Sequence, residues 1–377
     1  MNPFNGMVAP FLNGIKSAKV GVLSSTEKEA TNMNITTIGI DLAKNVFQIH
    51  GVDERGKGGL KKQLKRAQVL PFFANHPPCL IGMEACGSAH YWARKLKELG
   101  HTVKLMAPQF VKPYVKTNKN DAADAEAICE AVSRPSMRFV PVKTGEQQAV
   151  LSLHRARQGF VKGRTAQANQ IRGLLAEYGI VMPVGINNIA KRLPNILEDG
   201  ENDLPGVFRQ LLQRLGDHLK ELDRQVDELS GQIQLWHKEN ELSLKLADIP
   251  GIGPITASAL VASIGDAKSF ENGRQLAAWL GLVPRQHSTG GKQTLLGISK
   301  RGDTYLRTLL IHGARAVIRV SEHKHEQANA WLNQLVLRRN KNIAAVALAN
   351  KNARVVWALL AQKREFRFDY APAKAAA

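Results

Sequence analysis

The sequence ITTIGIDLAK at residues 35–44 begins as an apolar, β-branched run and reaches an acidic residue, Asp41. β-Branched side chains favour an extended backbone. A carboxylate at the end of such a strand projects from a rigid element into the cleft beyond it. Around this run, short apolar segments alternate with segments of helical spacing as far as about Pro141. This alternation predicts an α/β domain with a mostly covered sheet.

The pattern changes after this front region. Its predicted strands are 35–40, 46–52, 80–83, 103–106 and 139–142, and its predicted helices are 64–74, 89–99 and 122–132. After Thr144 the strand signals stop, and residues 146–178 have the spacing of one long helix. Pro, Gly and Asn then interrupt residues 182–205, which predicts a connector.

Composition and charge restrict the class of protein. A chain of 377 residues suits several domains. Lys and Arg outnumber Asp and Glu by 52 to 32, and the resulting formal charge of +20 attracts polyanions, so we expect nucleic acid as partner. No apolar stretch approaches the roughly 20 residues that span a bilayer, so we expect no membrane. Cys79, Cys86 and Cys129 lack zinc-site or disulfide spacing, which favours a reduced, cytoplasmic location.

Four acidic residues are candidates for one catalytic centre. Asp41 follows the first strand, Glu84 follows strand 80–83, and Asp121 and Asp124 begin a helix with an offset that places them on one face. Four repelling carboxylates are costly in a cleft unless cations neutralise them, and hard oxygen ligands suit Mg²⁺ or Mn²⁺. We therefore predict a metal site for phosphodiester chemistry. Taken singly, Asp41 could instead begin a turn, Asp121 could cap a helix, and Asp124 could interact with the helix dipole.

Two long helices are predicted in the middle of the chain. Helix 146–178 has a basic face, which is either solvated or in contact with a nucleic-acid backbone. Its basic residues are Arg155, Arg157, Lys162, Arg164 and Arg172. From Phe208 to Trp236, apolar residues recur in the alternating spacing of a heptad, which predicts a coiled coil. Its partner is either the basic helix of the same chain or a helix of another chain.

The rear of the chain carries further candidates for phosphate binding. The sequence LADIPGIGPITA at residues 246–257 looks like a helix-hairpin-helix turn, in which Gly251 and Gly253 would free backbone N–H groups for a phosphate. A tight turn between packed helices is the alternative. Residues 285–319 hold seven basic residues and the single acid Asp303. The basic candidates for nucleic-acid contacts here are Arg285, Lys292, Lys300, Arg301 and Arg307. The hydroxyls of Ser288 and Thr289 could attack a phosphate, contact one or cap a turn.

Five motifs taken together resemble one known family. In chain order they are GIDLAKN, GMEACGS, NKNDAADAEAI, PGIGPITASAL and GLVPRQHSTGGKQTLLGISKRGDTYLR, within residues 35 to about 320. They are similar to motifs of the DEDD transposases of the IS110 insertion sequences, most closely the IS1111 group. The resemblance implies a RuvC-like (ribonuclease H-like) domain at the front of the chain. It also implies a metal-binding quartet, carried here by Asp41, Glu84, Asp121 and Asp124.

The resemblance has two further implications. A serine of the rear domain forms a covalent link to the cut DNA end, a role carried to Ser288. Thr289 is the alternative nucleophile, because a related pattern places the serine directly before glycine. The second implication is a structured guide RNA, encoded by the element, that pairs with donor and target DNA. We expect a homodimer that assembles into a tetramer, since a distant serine can reach the acids through folding or from another subunit.

The predicted organisation has five segments. They are a disordered leader (1–33), a RuvC-like DEDD domain (34–145), a basic helix and coiled-coil region (146–245), a helix-hairpin-helix transposase domain with the serine motif (246–340), and a basic C-terminal tail or helix (341–377). Met33 is an alternative natural start. The predicted function is RNA-guided DNA strand exchange. The alternatives are a resolvase-like metal nuclease without guide RNA, a non-catalytic nucleic-acid scaffold, and an actin-like ATPase or sugar kinase, for which no convincing Gly-rich phosphate loop is present.

Overall fold

A computed structural model of the chain describes residues 34–116, 120–323 and 330–367. The predicted leader lies outside the described residues. The strands are Thr37–Leu42 (β1), Val46–Val52 (β2), Gly58–Lys65 (β3), Leu80–Glu84 (β4), Thr102–Met106 (β5), Phe139–Val140 (β6), Pro284–Thr289 (β7) and Lys292–Ile298 (β8). The helices are Val69–Ala74 (α1), Ala89–Glu98 (α2), Pro108–Val111 (α3), Asp121–Val132 (α4), Gly145–Ala176 (α5), Ile186–Glu198 (α6), Gly206–Glu239 (α7), Glu241–Ala247 (α8), Pro254–Ile264 (α9), Gly273–Trp279 (α10), Thr304–His323 (α11), Ala330–Arg338 (α12) and Lys341–Ala361 (α13).

The front region is built on one six-stranded sheet of order β3-β2-β1-β4-β5-β6. Strands β1, β4 and β5 are parallel, and β2, β3 and β6 pair antiparallel with their neighbours. Helix α2 covers one face, where the Trp92 ring meets the edge of Phe47 at 5.0 Å between centroids. Helix α4 covers the other face. The predicted α/β class of this region is therefore confirmed.

Two elements differ from the sequence prediction. Residues 58–65 form the edge strand β3, although a helix was predicted from residue 64. Most side chains of β3 are exposed, so its sequence lacks the alternating apolar pattern of a half-buried strand. Residues 186–198, predicted as a connector, form helix α6 with Pro194 inside it. Burial of Ile189 and Leu193 in a core shared with α5 and α7 stabilises this helix despite the proline.

Helices α5 and α7 lie side by side and antiparallel within one chain. Three side-chain contacts run in opposite directions along them: Trp236 Nε1 to Glu146 Oε1 at 2.7 Å, Arg157 Nε to Ser230 Oγ at 2.7 Å, and Arg164 Nη1 to Asp223 Oδ1 at 2.8 Å. Of the two partners left open for the apolar seam of α7, the structure shows the helix of the same chain. The coiled-coil character of this pair stays a prediction.

Helices α8 to α11 and α13 enclose the rear core, to which Leu246, Leu260, Leu310 and Val356 contribute buried side chains. Helix α13 lies in the segment predicted as a basic tail, yet its buried face belongs to this core. It is also 21 residues long and apolar enough, by length and composition, to cross a membrane, contrary to the expectation that no stretch approached that length. Its buried side chains, among them Ala345, Ala349 and Val356, pack into the rear core. The domain boundaries stay predictions.

A buried histidine joins the middle of the chain to its rear. The His154 ring of α5 shares hydrogen bonds with the Tyr305 hydroxyl at 3.0 Å and the Ser258 hydroxyl at 3.1 Å. Burial, with a smaller effect of Arg157, lowers the pKa of His154 to about 4. A neutral imidazole thus ties α5 to α9 and α11 at physiological pH.

Candidate functional site

Two of the predicted acids lie at the carboxyl ends of neighbouring parallel strands. β1 and β4 pair in register from Thr37 opposite Leu80 to Ile40 opposite Met83. Asp41 and Glu84 each follow the last of these pairs, so the register places them side by side. Side chains alternate along a strand, so each acid shares its face with the glycine two residues before it. This is the face of the sheet that α4 covers.

Gly39 and Gly82 allow α4 to lie close against the sheet. A Cβ added at Gly39 would collide with the backbone of Ala125 and Cys129, and one added at Gly82 would lie 2.7 Å from Val132 Cβ. No side chain fits at either position unless the helix moves. The two glycines therefore set the distance between the strand-borne acids and the helix-borne acids.

The other two acids lie in the first turn of α4. The Asn120 side chain caps this helix by accepting a hydrogen bond from the Ala122 N–H at 3.0 Å. Acids in a first turn are favoured by the helix dipole. Carboxylate oxygens of Asp41, Asp121 and Asp124 lie within 4.8 Å of one another. The structure thus brings three predicted acids into one cluster, from elements far apart in sequence.

Glu84 lies outside this set of three but interacts with it electrostatically. Burial, followed by the charges of Asp41 and Asp124, raises the pKa of Glu84. Such repulsion is relieved when a cation binds among the carboxylates. Hard carboxylate oxygens at this spacing are the ligands that divalent cations such as Mg²⁺ and Mn²⁺ prefer. The donor set therefore fits a divalent metal.

We expect Gly39→Ala to disturb this site by pushing α4 away from β1. Overpacking of this kind costs about 1–3 kcal/mol. The free energy of unfolding measured in urea should fall by that amount, and activity that depends on the four acids should fall with it. Gly159→Ala is the matched control, since its exposed position on α5 has open space for a Cβ and alanine favours helix. Wild-type stability and activity in Gly39→Ala would contradict the packing role of this glycine.

The two candidate hydroxyls lie on an exposed two-stranded ribbon formed by β7 and β8. Its turn residues Gly290 and Gly291 have φ of 54° and 79°, the left-handed conformation that a tight hairpin turn requires. Every side chain of β7 is exposed. Because Ser288 and Thr289 are adjacent on one strand, they face opposite sides of the ribbon. The structure therefore separates two nucleophile candidates that the sequence could not distinguish.

The two faces of the ribbon differ in chemistry. Ser288 lies opposite Gln293 in the ladder, and Gln286, two residues before it, lies opposite Leu295. The Gln286 side-chain amide donates a hydrogen bond to Ser288 Oγ at 2.8 Å. Thr289 lies opposite Lys292 on the other face. The serine thus has an uncharged, amide-rich surrounding, whereas the threonine faces a cation.

Comparisons with known proteins identify the family of the chain. A family model described as "Transposase IS116/IS110/IS902 family" matches residues 244–329, and a model of DEDD transposases of the IS110 type matches residues 38–180. A probable family 20 transposase of Pseudomonas aeruginosa is 57% identical over 336 residues, which cover 89% of this chain and 99% of that protein. This chain belongs to the IS110 family of transposases. The resemblance predicted from the motifs is confirmed.

Two further relatives carry the names of insertion sequence elements. The transposase of IS1328 from Yersinia enterocolitica is 46% identical over 333 residues, or 88% of this chain and 99% of the relative. That of IS1111A from Coxiella burnetii is 44% identical over 361 residues, or 96% of this chain and 99% of the relative. The protein is thus a transposase of a DEDD family, whose chemistry implies a divalent metal. The acidic cluster of the transposase has the donors for one.

The predicted nucleic-acid contacts of the transposase fall into two groups. Side chains exposed to solvent are Arg155, Lys162, Arg285, Lys292, Lys300 and Arg301. Three others on α5 bond within the chain, namely Arg157 to Ser230, Arg164 to Asp223, and Arg172 to the Gly185 carbonyl at 2.7 Å. The first group presents its charge outwards, whereas the second also holds α5 against its neighbours.

Arg307, also predicted to contact nucleic acid, is buried in the transposase, unlike the exposed group. It is only 8% exposed, and its guanidinium donates hydrogen bonds to the Leu280 carbonyl at 3.1 Å and Thr304 Oγ1 at 3.2 Å. Burial of a cation is tolerated here because carbonyl and hydroxyl acceptors surround it. Arg307 therefore links Leu280 to the start of α11 within the rear core.

The two glycines of the turn between α8 and α9 differ in role. Gly251 has φ of +88°, and a Cβ there would lie 2.8 Å from the carbonyl oxygen of Gly313 on α11. This glycine is needed for close packing of the turn against a helix. Gly253 is exposed with open space around it, and no side chain caps the start of α9 there. Of the two glycines, Gly253 is therefore the one that lies exposed at the start of α9.

Sequence reasoning missed the parts played by Gly39 and Gln286. A glycine two residues before an acid occurs in both strand motifs, Gly39 before Asp41 and Gly82 before Glu84. This repeated spacing marks one face of two neighbouring strands and could have identified the surface on which α4 lies. For Gln286 the sequence offered no comparable signal, because its contact with Ser288 depends on side-chain orientation on the ribbon.

Proposed function

We propose that this transposase catalyses metal-dependent cleavage and exchange of DNA strands. Asp41, Glu84, Asp121 and Asp124 of a RuvC-like domain would hold Mg²⁺ or Mn²⁺. The observation that supports this most strongly is the convergence of three carboxylates within 4.8 Å in a chain of formal charge +20. Acids kept close together in so cationic a protein suggest a site for metal ions that act on nucleic acid.

The residues of this site have distinct parts. Asp41 and Glu84 project from the ends of buried strands, and Asp121 and Asp124 from the start of a capped helix, so all four have rigid supports. Divalent cations held there would supply stabilisation of charge on the scissile phosphate and would favour ionisation of the attacking hydroxyl. Burial, followed by the charges of Asp41 and Asp124, raises the pKa of Glu84, and a cation held among these acids would favour its ionised form. The strand ends and the packed helix therefore hold the four acidic side chains in position before DNA binds.

Ser288 is the proposed nucleophile, with Thr289 as the alternative. Its Oγ forms a bond to the scissile phosphorus while the bond from phosphorus to one sugar oxygen breaks, and the hydroxyl proton passes to that leaving oxygen. A phosphodiester between serine and one DNA end results, so the bond can be rejoined to another strand. The exposed ribbon suits this role, because a duplex or another subunit's acidic site can approach it.

The proposed partners are donor and target DNA, a structured guide RNA and further copies of the chain, as a homodimer that forms a tetramer. The exposed basic residues and Gly253 would contact phosphates and account for a steep salt dependence of binding. The charge of +20 is compatible with RNA as well as DNA. The three cysteines are free, in keeping with the proposed cytoplasmic location.

The test combines metal, RNA and covalent capture in one reaction. Purified transposase, with and without RNase treatment, is incubated with labelled duplexes carrying the element's ends, in Mg²⁺, Mn²⁺ or EDTA. We expect cleavage only with the metals, label attached to protein in denaturing gels, and joined products only without RNase. Cleavage without protein-linked DNA would point to a simple metal nuclease. Binding without cleavage under every condition would point to a non-catalytic scaffold.

A further inference from the structure

Lys143 is a half-buried cation at the junction of the front region and helix α5. It lies between β6 and α5, and helix α2 holds its backbone from both sides. The Lys143 N–H donates to His90 Nδ1 at 3.2 Å, and its carbonyl accepts a hydrogen bond from Arg94 Nη1 at 2.7 Å. Within the described ranges, the Lys143 ammonium makes neither a hydrogen bond nor an ion pair. The chain therefore holds the backbone of this residue in place, while its ammonium has no hydrogen bond or ion pair among the described residues.

The surroundings of the ammonium are predominantly positive. Burial and, to a smaller extent, the charge of Arg155 lower the pKa of Lys143, and the charge of Asp303 raises it by less. Burial, followed by Lys143, Arg94 and Arg155, lowers the pKa of His90 to about 4, so this imidazole is neutral at pH 7. Among the charges that act on His90 and Lys143, the cations Lys143, Arg94 and Arg155 thus outnumber the acid Asp303.

Such an arrangement is unfavourable for an isolated protein. An ammonium withdrawn from water among like charges lowers stability unless an anion joins it. Natural proteins retain destabilising groups of this kind where function requires them. A phosphodiester supplies what the junction lacks, because its oxygens accept hydrogen bonds from ammonium and guanidinium groups and its charge offsets theirs.

The site is separate from the acidic cluster. Helix α2 packs against Phe47, which lies opposite Leu42 in the ladder between β1 and β2. Leu42 points to the face away from Asp41, since the two are adjacent on one strand. The cationic junction therefore lies on the side of α2, across the sheet from α4. An anion bound there is not the scissile phosphate.

We propose that Lys143 and Arg155, with Arg94 holding the lysine backbone, bind a backbone phosphate of DNA at the junction between the front domain and α5. The assignment rests on the proposed function for its ligand, since a strand-transferring enzyme must hold DNA away from the cleavage point as well as at it. It adds Lys143, Arg94 and His90 to a surface of which only Arg155 was predicted. A phosphate there would fix the course of the duplex relative to α5.

The test compares Lys143→Met with Lys97→Met, which removes the same charge from an exposed position on α2. Binding of a labelled DNA duplex to the full chain is measured between 50 and 200 mM salt, with Ca²⁺ replacing Mg²⁺ to prevent cleavage. Each phosphate contact contributes about 0.9 to the slope of log affinity against log salt. We expect Lys143→Met to lose that contribution, so that wild type loses roughly 3.5-fold more affinity than the variant over this range. Lys97→Met should retain the wild-type slope.

A second measurement separates binding from structural effects. Without DNA, Lys143→Met should unfold at a higher temperature than wild type, because a buried charge without a partner is removed. A lower melting temperature with unchanged binding would show a structural lysine and overturn the proposal, as would a wild-type salt slope. A slope change for an RNA duplex alone, or stabilisation by inorganic phosphate without a slope change for DNA, would also overturn it. Because cleavage is not measured, failure of Mg²⁺-dependent cleavage would leave this result standing and overturn only the proposed function.

Discussion

Alanine at Asp41, Glu84 or Asp124 should abolish DNA cleavage while DNA binding is largely retained. Metal-assisted stabilisation of a phosphoryl transition state is worth several kcal/mol, so loss of a ligand should reduce the cleavage rate by roughly 10³-fold or more. Binding depends on exposed basic residues elsewhere and should change little. Single-turnover cleavage and duplex binding, measured on the same preparations, check both expectations.

The control for this series is Glu130→Gln, further along α4. Glu130 pairs with Lys116 at 2.9 Å and with Arg134 at 2.5 Å, and surface pairs of this kind contribute less than about 1 kcal/mol. This variant should cleave DNA like wild type. Asp41→Asn adds an independent readout, since relief of repulsion should raise the melting temperature in EDTA and reduce the further rise on adding Mg²⁺. If binding falls as far as cleavage in the alanine variants, the acids have a structural role and the metal site is wrong.

Ser288→Ala should eliminate protein-linked DNA, whereas Thr289→Ala should retain it. The two hydroxyls face opposite sides of the ribbon, so one residue cannot replace the other without turning the strand over. Both side chains are exposed, and substitutions at such positions usually change stability by less than about 0.5 kcal/mol. Loss of the adduct in Ser288→Ala would therefore report on chemistry and not on unfolding. Denaturing gels of reactions with end-labelled DNA measure it directly.

Comparison with the threonine variant shows which of the two residues, Ser288 or Thr289, is the nucleophile. An adduct that survives in Ser288→Ala and disappears in Thr289→Ala would assign the nucleophile to the face that carries Lys292. Survival of the adduct in both variants would exclude this ribbon as the source of the nucleophile. Equal affinity of the two variants for duplex DNA is the necessary control, because the ribbon also carries basic residues.

Strong local patterns made the acidic site predictable from the sequence. Asp41 and Glu84 follow apolar runs that have few alternatives to a buried strand, and the offset of Asp121 and Asp124 fits one helical turn. Their approach to one another followed from the general behaviour of parallel strands. The distance between α4 and the sheet could not be predicted from the sequence. It depends on two glycines, Gly39 and Gly82, which lie on neighbouring strands and both face this helix.

Other elements could not be predicted, since tertiary contacts override the local signal. β3 carries lysines and glycines because it is an exposed edge, and α6 holds a proline because burial of Ile189 and Leu193 outweighs the lost hydrogen bond. Arg307 has the same sequence character as its exposed neighbours, and only the fold reveals its acceptors. The partner of α7 was likewise undetermined, because a heptad specifies that a helix is needed and not which one.

The antiparallel pairing of α5 with α7 determines how this part of the protein responds to dilution. The apolar seam of α7 is covered by a helix of its own chain. Helices α5 and α7 therefore associate in a unimolecular step, in which the intervening segment 177–205 is closed into a loop. The melting temperature of the α5–α7 pair is then independent of protein concentration, unlike that of a coiled coil between subunits. In the proposed oligomer, subunits that separate would keep this helix pair intact and would not need to refold it before assembling on another duplex.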